Sequence, residues 1–196
     1  MNIQATIEKI DSLISSDNSE AAVNLILTLD DAKINGHILE GCLIDTDGCV
    51  KIDSGYLADS TIKYYLFYTV LCLSQNNKLL DKSLQHINIK KLCINEFRDN
   101  EFPLNIELFK NLEELTINLN YTIQNSNEDV LLKLLPKLKK LKSLSLNTNE
   151  FNSALDVIFK SIYNLKNLED LTVKAPISNI PIGINNLKKL KNIDLN

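Results

Sequence analysis

Four cysteines, two histidines and a scatter of carboxylates are the first side chains to test for chemistry. Cys42, Cys49, Cys72 and Cys93 lie 7, 23 and 21 residues apart. A structural zinc site pairs its cysteines two to four residues apart, and a disulfide scaffold is denser. The spacing therefore predicts reduced, mostly buried thiols that behave as small hydrophobes. His37 and His86 have no partner signature and read as a loop histidine and a histidine beside a strand. Asp45-Thr46-Asp47-Gly48 looks like the start of a calcium loop, but Val50 and Tyr56 stand where an EF-hand needs glycine and glutamate, so a turn is expected. Phosphate-binding loops, dinucleotide fingerprints, His-Glu-x-x-His and Gly-x-Ser-x-Gly are missing from the sequence. No metal, no cofactor and no catalytic residue is expected.

The lysines come next. Lys133, Lys137, Lys139, Lys140 and Lys142 form a basic run, echoed by Lys188, Lys189 and Lys191. They fall on outward positions of the pattern described below and read as a solvated edge. The whole chain carries a formal charge of −4 and has a pI near 5.3, which lacks the basic footprint of a duplex-binding protein. No window approaches 18 uncharged apolar residues, and Met1 to Ile10 lacks the basic start and apolar run of a signal peptide. The expectations are no nucleic acid, no membrane and a cytoplasmic location. At 196 residues, 44% of them hydrophobic, the chain can bury a sizeable core. Its 5 glycines and 4 prolines are too few for a barrel built on tight turns.

The dominant signal is a recurring frame, apolar at positions 1, 4, 7, 10 and 12. It occurs as Ile106, Phe109, Leu112, Leu115, Ile117, and again as Leu135, Leu138, Leu141, Leu144, Leu146. It returns as Ile162, Leu165, Leu168, Leu171, Val173 and as Ile184, Leu187, Leu190, Ile193, Leu195. Ile89 to Ile94 holds a degenerate copy. Triplet spacing keeps apolar side chains on one side of a helical or 3₁₀ turn, and the closing two-residue step is a strand. A unit of this kind exposes its apolar face when alone and is stabilised by stacking on neighbours.

Leu141 to Asn149 (Leu-Lys-Ser-Leu-Ser-Leu-Asn-Thr-Asn) and Leu112 to Asn120 fit the signature L-x-x-L-x-L-x-x-N, and here the sequence resembles the leucine-rich repeat family, of bacterial cytosolic type. The resemblance covers residues 84–196 and implies an α/β solenoid, with a parallel sheet on the concave face and helices or 3₁₀ turns on the convex face. It also implies an internal asparagine ladder, which Phe97 and Pro176 would interrupt after Asn120 and Asn149. Polar caps at Asn125–Asp129 and Asn152-Ser153 predict helical backs for the two longer units. Phe102-Pro103 and Ile180-Pro181 predict extended or 3₁₀ backs for the shorter ones.

Residues 1–80 do not repeat and read as an α-rich cap with a short hairpin. Ile3, Ile7, Ile10, Leu13 and Ile14 share a helical face, and Ser16-Asp17-Asn18 breaks and caps a second helix running to Leu29. Ile38, Cys42-Leu43-Ile44 and Cys49 to Ile52 read as short strands around the turn pair Asp47-Gly48. A further helix is expected from Asp59 or Ser60 to Ser74, apolar on both sides and buried.

What remains for function is a surface. The strand residues flanking the buried leucines form three columns: Cys93, Thr116, Ser145, Thr172 and Asp194; Lys91, Glu114, Ser143, Asp170 and Asn192; Asn95, Asn118, Asn147, Lys174 and Asn196. Five strands at ~4.8 Å and three residues at ~3.3 Å make a strip on the order of 250 Å². A stable interface takes about 800 Å² per partner. Three expectations follow: the loops at 97–102, 121–127 and 149–151 contribute, binding is weak, or repeats are missing, with the strand edge at Asn196 covered by further repeats, a second subunit or a partner. The fold resemblance implies a non-catalytic scaffold that binds a protein. Its rivals are an immunity or effector-type protein that binds one toxin or host target through residues 1–80, and a thiol enzyme using Cys49 or Cys72.

Overall fold

The computed structural model describes residues 2–16, 18–29, 31–43, 49–53, 70, 78–95, 104–119, 131–148, 154–175 and 183–195. They form an α/β structure around a six-stranded sheet in which every pairing is parallel and strand order follows sequence order. The strands are β1 (Cys49–Asp53), β2 (Lys91–Asn95), β3 (Glu114–Leu119), β4 (Ser143–Thr148), β5 (Asp170–Lys174) and β6 (Asn192–Leu195). Among the described residues no helix is long and apolar enough to cross a membrane.

Helices α1 (Ile3–Ser15) and α2 (Ser19–Leu27) begin at asparagines, Asn2 and Asn18, whose side chains accept from the N–H groups of Ala5 and Ala21. Helix α3 (Ala32–Leu43) starts the same way, with Asp31 Oδ1 accepting from Lys33 and Ile34 at 2.8 and 3.1 Å. This helix replaces the expected first strand of a hairpin, and it carries His37, which was expected in a loop. The reason is periodicity: Ile38, Leu39 and Cys42, with Ile34 beside them, fall on one helical stripe and are buried in the core. Cys49 to Ile52 do form a strand, but β1 lies parallel to β2, with Val50 opposite Leu92. The turn pair Asp47-Gly48 and nearly all of the helix expected at 59–74 lie outside the described residues; Val70, within that span, is helical and fully buried.

Helix α4 (Lys78–Leu84) packs on α3. Its approach is set by Gly36, where a β-carbon would meet His86 Cβ and the Ser83 carbonyl oxygen, each at 2.7 Å.

After β2 the chain repeats one backbone device four times. The N–H groups of Phe109, Leu138, Leu165 and Leu187 donate three residues back, to Ile106, Leu135, Ile162 and Ile184, at 2.8–3.1 Å. Lys110, Lys139, Lys166 and Lys188 then donate two residues back, and Leu112, Leu141, Leu168 and Leu190 three residues back. The chain leaves each turn straight into a strand. There one carbonyl of the preceding unit accepts two successive N–H groups: Lys90 from Glu113 and Glu114, Glu113 from Lys142 and Ser143, Lys142 from Glu169 and Asp170, Glu169 from Lys191 and Asn192. The triplet frame is therefore one turn conformation stacked in register.

The 3₁₀ turn recurs in short and long units alike, at Leu104–Leu108, Leu135–Lys137 and Ile184–Asn186, and the segments leading into it differ. The expected caps at 125–129 and 152–153 and the prolines Pro103 and Pro181 lie outside the described residues. Helix α5 (Ala154–Ile162) serves a long one, and in the other, helical residues 131–134 lead into a 3₁₀ turn at Leu135–Lys137. Gly183 enters the last turn at φ +112°, and a β-carbon there would lie 2.7 Å from Tyr163 Cε2; left-handed backbone and ring packing both require glycine.

All fifteen frame positions of the first three complete units are buried. Each such Leu, Ile, Val or Phe contributes roughly 1.5–3 kcal/mol by leaving water. The last unit is different. Ile193 is 46% exposed, where its register partner Leu171 is 1%.

Candidate interaction surface

All-parallel sheets are ordinarily covered on both faces. Among the described residues, this one has apolar side chains packed on a single face. Along β3, β4 and β5 the buried Leu115/Ile117, Leu144/Leu146 and Leu171/Val173 alternate with half-exposed or exposed polar residues. Register places these outward side chains in straight rows. Cys93, Thr116, Ser145, Thr172 and Asp194 form the central row, and Lys51 of β1 extends it. Lys91, Glu114, Ser143, Asp170 and Asn192 form a second, and Asn118, Asn147 and Lys174 a third, with the backbone of Asn95 in register beside Asn118; Asn196 lies outside the described residues. The sixth strand enlarges the strip to about 290 Å² by the same spacing arithmetic.

The rows are bonded across strands. Lys91 Nζ lies 3.2 Å from Glu114 Oε1, and Asn192 Nδ2 donates to Asp170 Oδ1 at 2.5 Å. In the third row Asn147 donates to Asn118, and Ser145 Oγ lies 3.5 Å from Asn147 Oδ1. The centre of the strip is small: hydroxyls and a thiol, with Thr116, Ser145 and Thr172 each half-exposed. Burial pushes the Cys93 thiol above its ordinary value, with Lys51 pulling the other way. Cys93 is thus held as the protonated thiol at neutral pH, a poor nucleophile. Cys42 is buried, and Cys72 lies outside the described residues. His37 Nδ1 sits 3.9 Å from Glu40 on the exposed side of α3, and His86 follows α4. Among the described residues no group of three His, Cys, Asp or Glu is close enough to hold a metal.

The edge where the chain enters the strands carries an order that hydrophobic periodicity does not mark. Asn111 and Glu113 of one unit accept from Lys140 and Lys142 of the next, at 2.6 and 2.7 Å. Asn167 and Glu169 likewise accept from Lys189 and Lys191, at 2.7 and 2.6 Å. Lys137 reaches back to Glu107. Acceptor units and donor units alternate, so much of the expected solvated lysine edge is a ladder between neighbours. The Lys142 hydrogen bond is the main reason the Glu113 carboxyl is held below its ordinary value, and Glu113 in turn raises Lys142. That bond is present at neutral pH. It is lost as pH falls through Glu113's lowered value or rises through Lys142's raised one. The signal was available in the outward positions, where Asn-x-Glu and Lys-x-Lys alternate from unit to unit.

The asparagine ladder expected at Asn120 and Asn149, and the loops at 97–102, 121–127 and 149–151, lie outside the described residues. No protein-family model matches the chain, and no curated protein matches it.

Proposed function

We propose that this chain is a leucine-rich repeat solenoid of the bacterial cytosolic type, and that it is a non-catalytic scaffold binding a partner protein through the concave, polar face of its sheet. One observation carries the reading. Among the described residues nothing apolar packs on one face of an all-parallel sheet, and that face presents small polar side chains in register from Cys93 to Asp194. The face is pre-ordered, because its strands are fixed from behind by buried leucines, so little entropy is lost there on binding. Its described strand residues include no aromatic anchor, so the affinity on this strip rests on hydrogen bonding.

The test is affinity capture from native lysate with the wild-type chain and with a variant carrying Thr116→Arg, Ser145→Arg and Thr172→Arg. Three guanidinium groups on neighbouring strands fill the middle of the strip without touching the core. The captured protein should fall by about tenfold or more, the loss of roughly 1.4 kcal/mol of binding, with far-ultraviolet circular dichroism unchanged. A partner retained at wild-type level by the folded variant contradicts this assignment of the surface.

A further inference from the structure

Lys110, Lys139, Lys166 and Lys188 occupy one backbone site in four successive units. Each donates its N–H two residues back in the same turn, at 2.9, 2.9, 3.0 and 3.2 Å, so the four side chains leave the protein at equivalent points, one per strand spacing. All four are exposed. The Lys166 ammonium is bonded to the Tyr163 carbonyl, and no acceptor among the described residues holds the other three. The adjoining position adds Lys140 and Lys189, whose ammonium groups rest on neutral asparagine oxygens of Asn111 and Asn167. These two columns hold six lysines and no carboxylate. The nearest acids along the edge, Glu107, Glu113 and Glu169, are already bonded to Lys137, Lys142 and Lys191. A chain with a net charge of −4 therefore gathers six lysines along one edge, of which Lys140 also acts on the Glu113 carboxylate and Lys189 lies near Glu169.

We infer that this lysine strip is a second interaction surface, separate from the sheet face, that docks an α-helical segment of a partner protein bearing a stripe of Asp and Glu. Spacing selects the helix. Successive amines follow the strand repeat of ~4.8 Å, so four span about 14 Å. A helix presents one stripe position per turn of ~5.4 Å, so four span about 16 Å. Flexible lysine stems absorb the difference. A hollow of about 180 Å³ lies at the strip, lined by the apolar Phe109, Leu112 and Leu138, by Lys110, Lys139 and Lys140, and by the bonded pair Glu107 and Lys137. It suits one apolar side chain set among the carboxylates. Single-stranded nucleic acid, the other linear polyanion, binds through exposed aromatic platforms as well as charge. Neither lysine column contains an aromatic residue.

The experiment uses the full chain and a synthetic helical peptide with Glu at i, i+4, i+7 and i+11 and one Leu beside the stripe. A peptide of identical composition with its glutamates spread round the helix is the first control. An oligothymidylate of equal charge is the second. Titration by fluorescence anisotropy at 50 mM and 200 mM salt should give at least tenfold tighter binding of the striped peptide than of either control. Affinity should fall as salt rises. The combined variant Lys110→Gln, Lys139→Gln, Lys166→Gln and Lys188→Gln alters only exposed side chains, so its melting temperature should match wild type, and it should lose the peptide at least tenfold. The triple arginine variant of the sheet face should bind the peptide as wild type does, which separates this inference from the proposed function. Equal binding of both peptides, tighter binding of the oligonucleotide, or unchanged binding by the glutamine variant overturns the inference.

Discussion

Leu144→Ala should lower the free energy of unfolding by about 2–5 kcal/mol, whereas Ile193→Ala should cost less than about 1 kcal/mol. The two residues hold the same place in the repeating frame, two strand pairings apart: Leu144 aligns with Leu171, and Leu171 with Ile193. Their surroundings differ. Leu144 is 1% exposed and lies in β4 between Leu115 and Leu171, each also 1% exposed. Strands on both sides are pinned by their own hydrogen bonds and buried side chains, so the wall round a deleted isobutyl group has little freedom to collapse. A cavity then adds to the lost transfer energy. Ile193 is 46% exposed in the last described strand, and its truncation removes surface that water already reaches. Urea denaturation with an unchanged m value reads the difference directly. Equal costs for the two would mean that the frame positions are not packed by neighbouring units.

The second large effect is a contrast between two glycines of α3. Gly36→Ala should destabilise the protein by roughly 1–3 kcal/mol, because the new methyl group falls 2.7 Å from His86 Cβ and 2.7 Å from the Ser83 carbonyl oxygen. Both belong to or adjoin the backbone of the segment that packs on α3, so α3 and α4 must separate. At Gly41 the methyl group would meet Ile7 Cδ1 at 2.6 Å, the far end of a side chain that can change rotamer. Alanine also gains about 0.5–1 kcal/mol over glycine inside a helix. Gly41→Ala should therefore lie within about 1 kcal/mol of wild type. Thermal denaturation of the two variants side by side measures this. A Gly36→Ala protein as stable as wild type would show that α3 and α4 do not approach as described.

What could be read in the sequence, and what could not, follows from how local each cause is. The triplet frame was legible because every unit solves the same packing problem with the same turn, leaving Leu, Ile, Val or Phe at fixed offsets from Ile106 to Leu195. The helix starts at Asn2 and Asn18 were legible because a cap is a contact within three residues. Residues 38–43 read as strand in the sequence but are helical, because two local signals meet there, a turn pair at Asp47-Gly48 and a helical stripe from Ile34 to Cys42. Asp31, which caps α3, lies upstream of both. β1 was recognisable as a strand, yet its partner was not. The alignment of Val50 with Leu92 spans 42 residues and leaves no mark in local composition. The edge ladder was written in the sequence but in positions that hydrophobic periodicity ignores. Asn111 and Glu113 need Lys140 and Lys142 one unit later, and only an alignment of outward residues reveals it.

The sheet face and the lysine strip both depend on register, on residues one unit apart standing side by side. Nuclear Overhauser contacts between backbone protons in the labelled full chain test that directly. Thr116 should show cross-strand contacts to Ser145, and Ser145 to Thr172, as the central row of a parallel sheet requires. Sequential amide–amide contacts of a helix through residues 114–118 and 143–147, with no cross-strand contacts between them, would contradict the structure and leave neither surface in place.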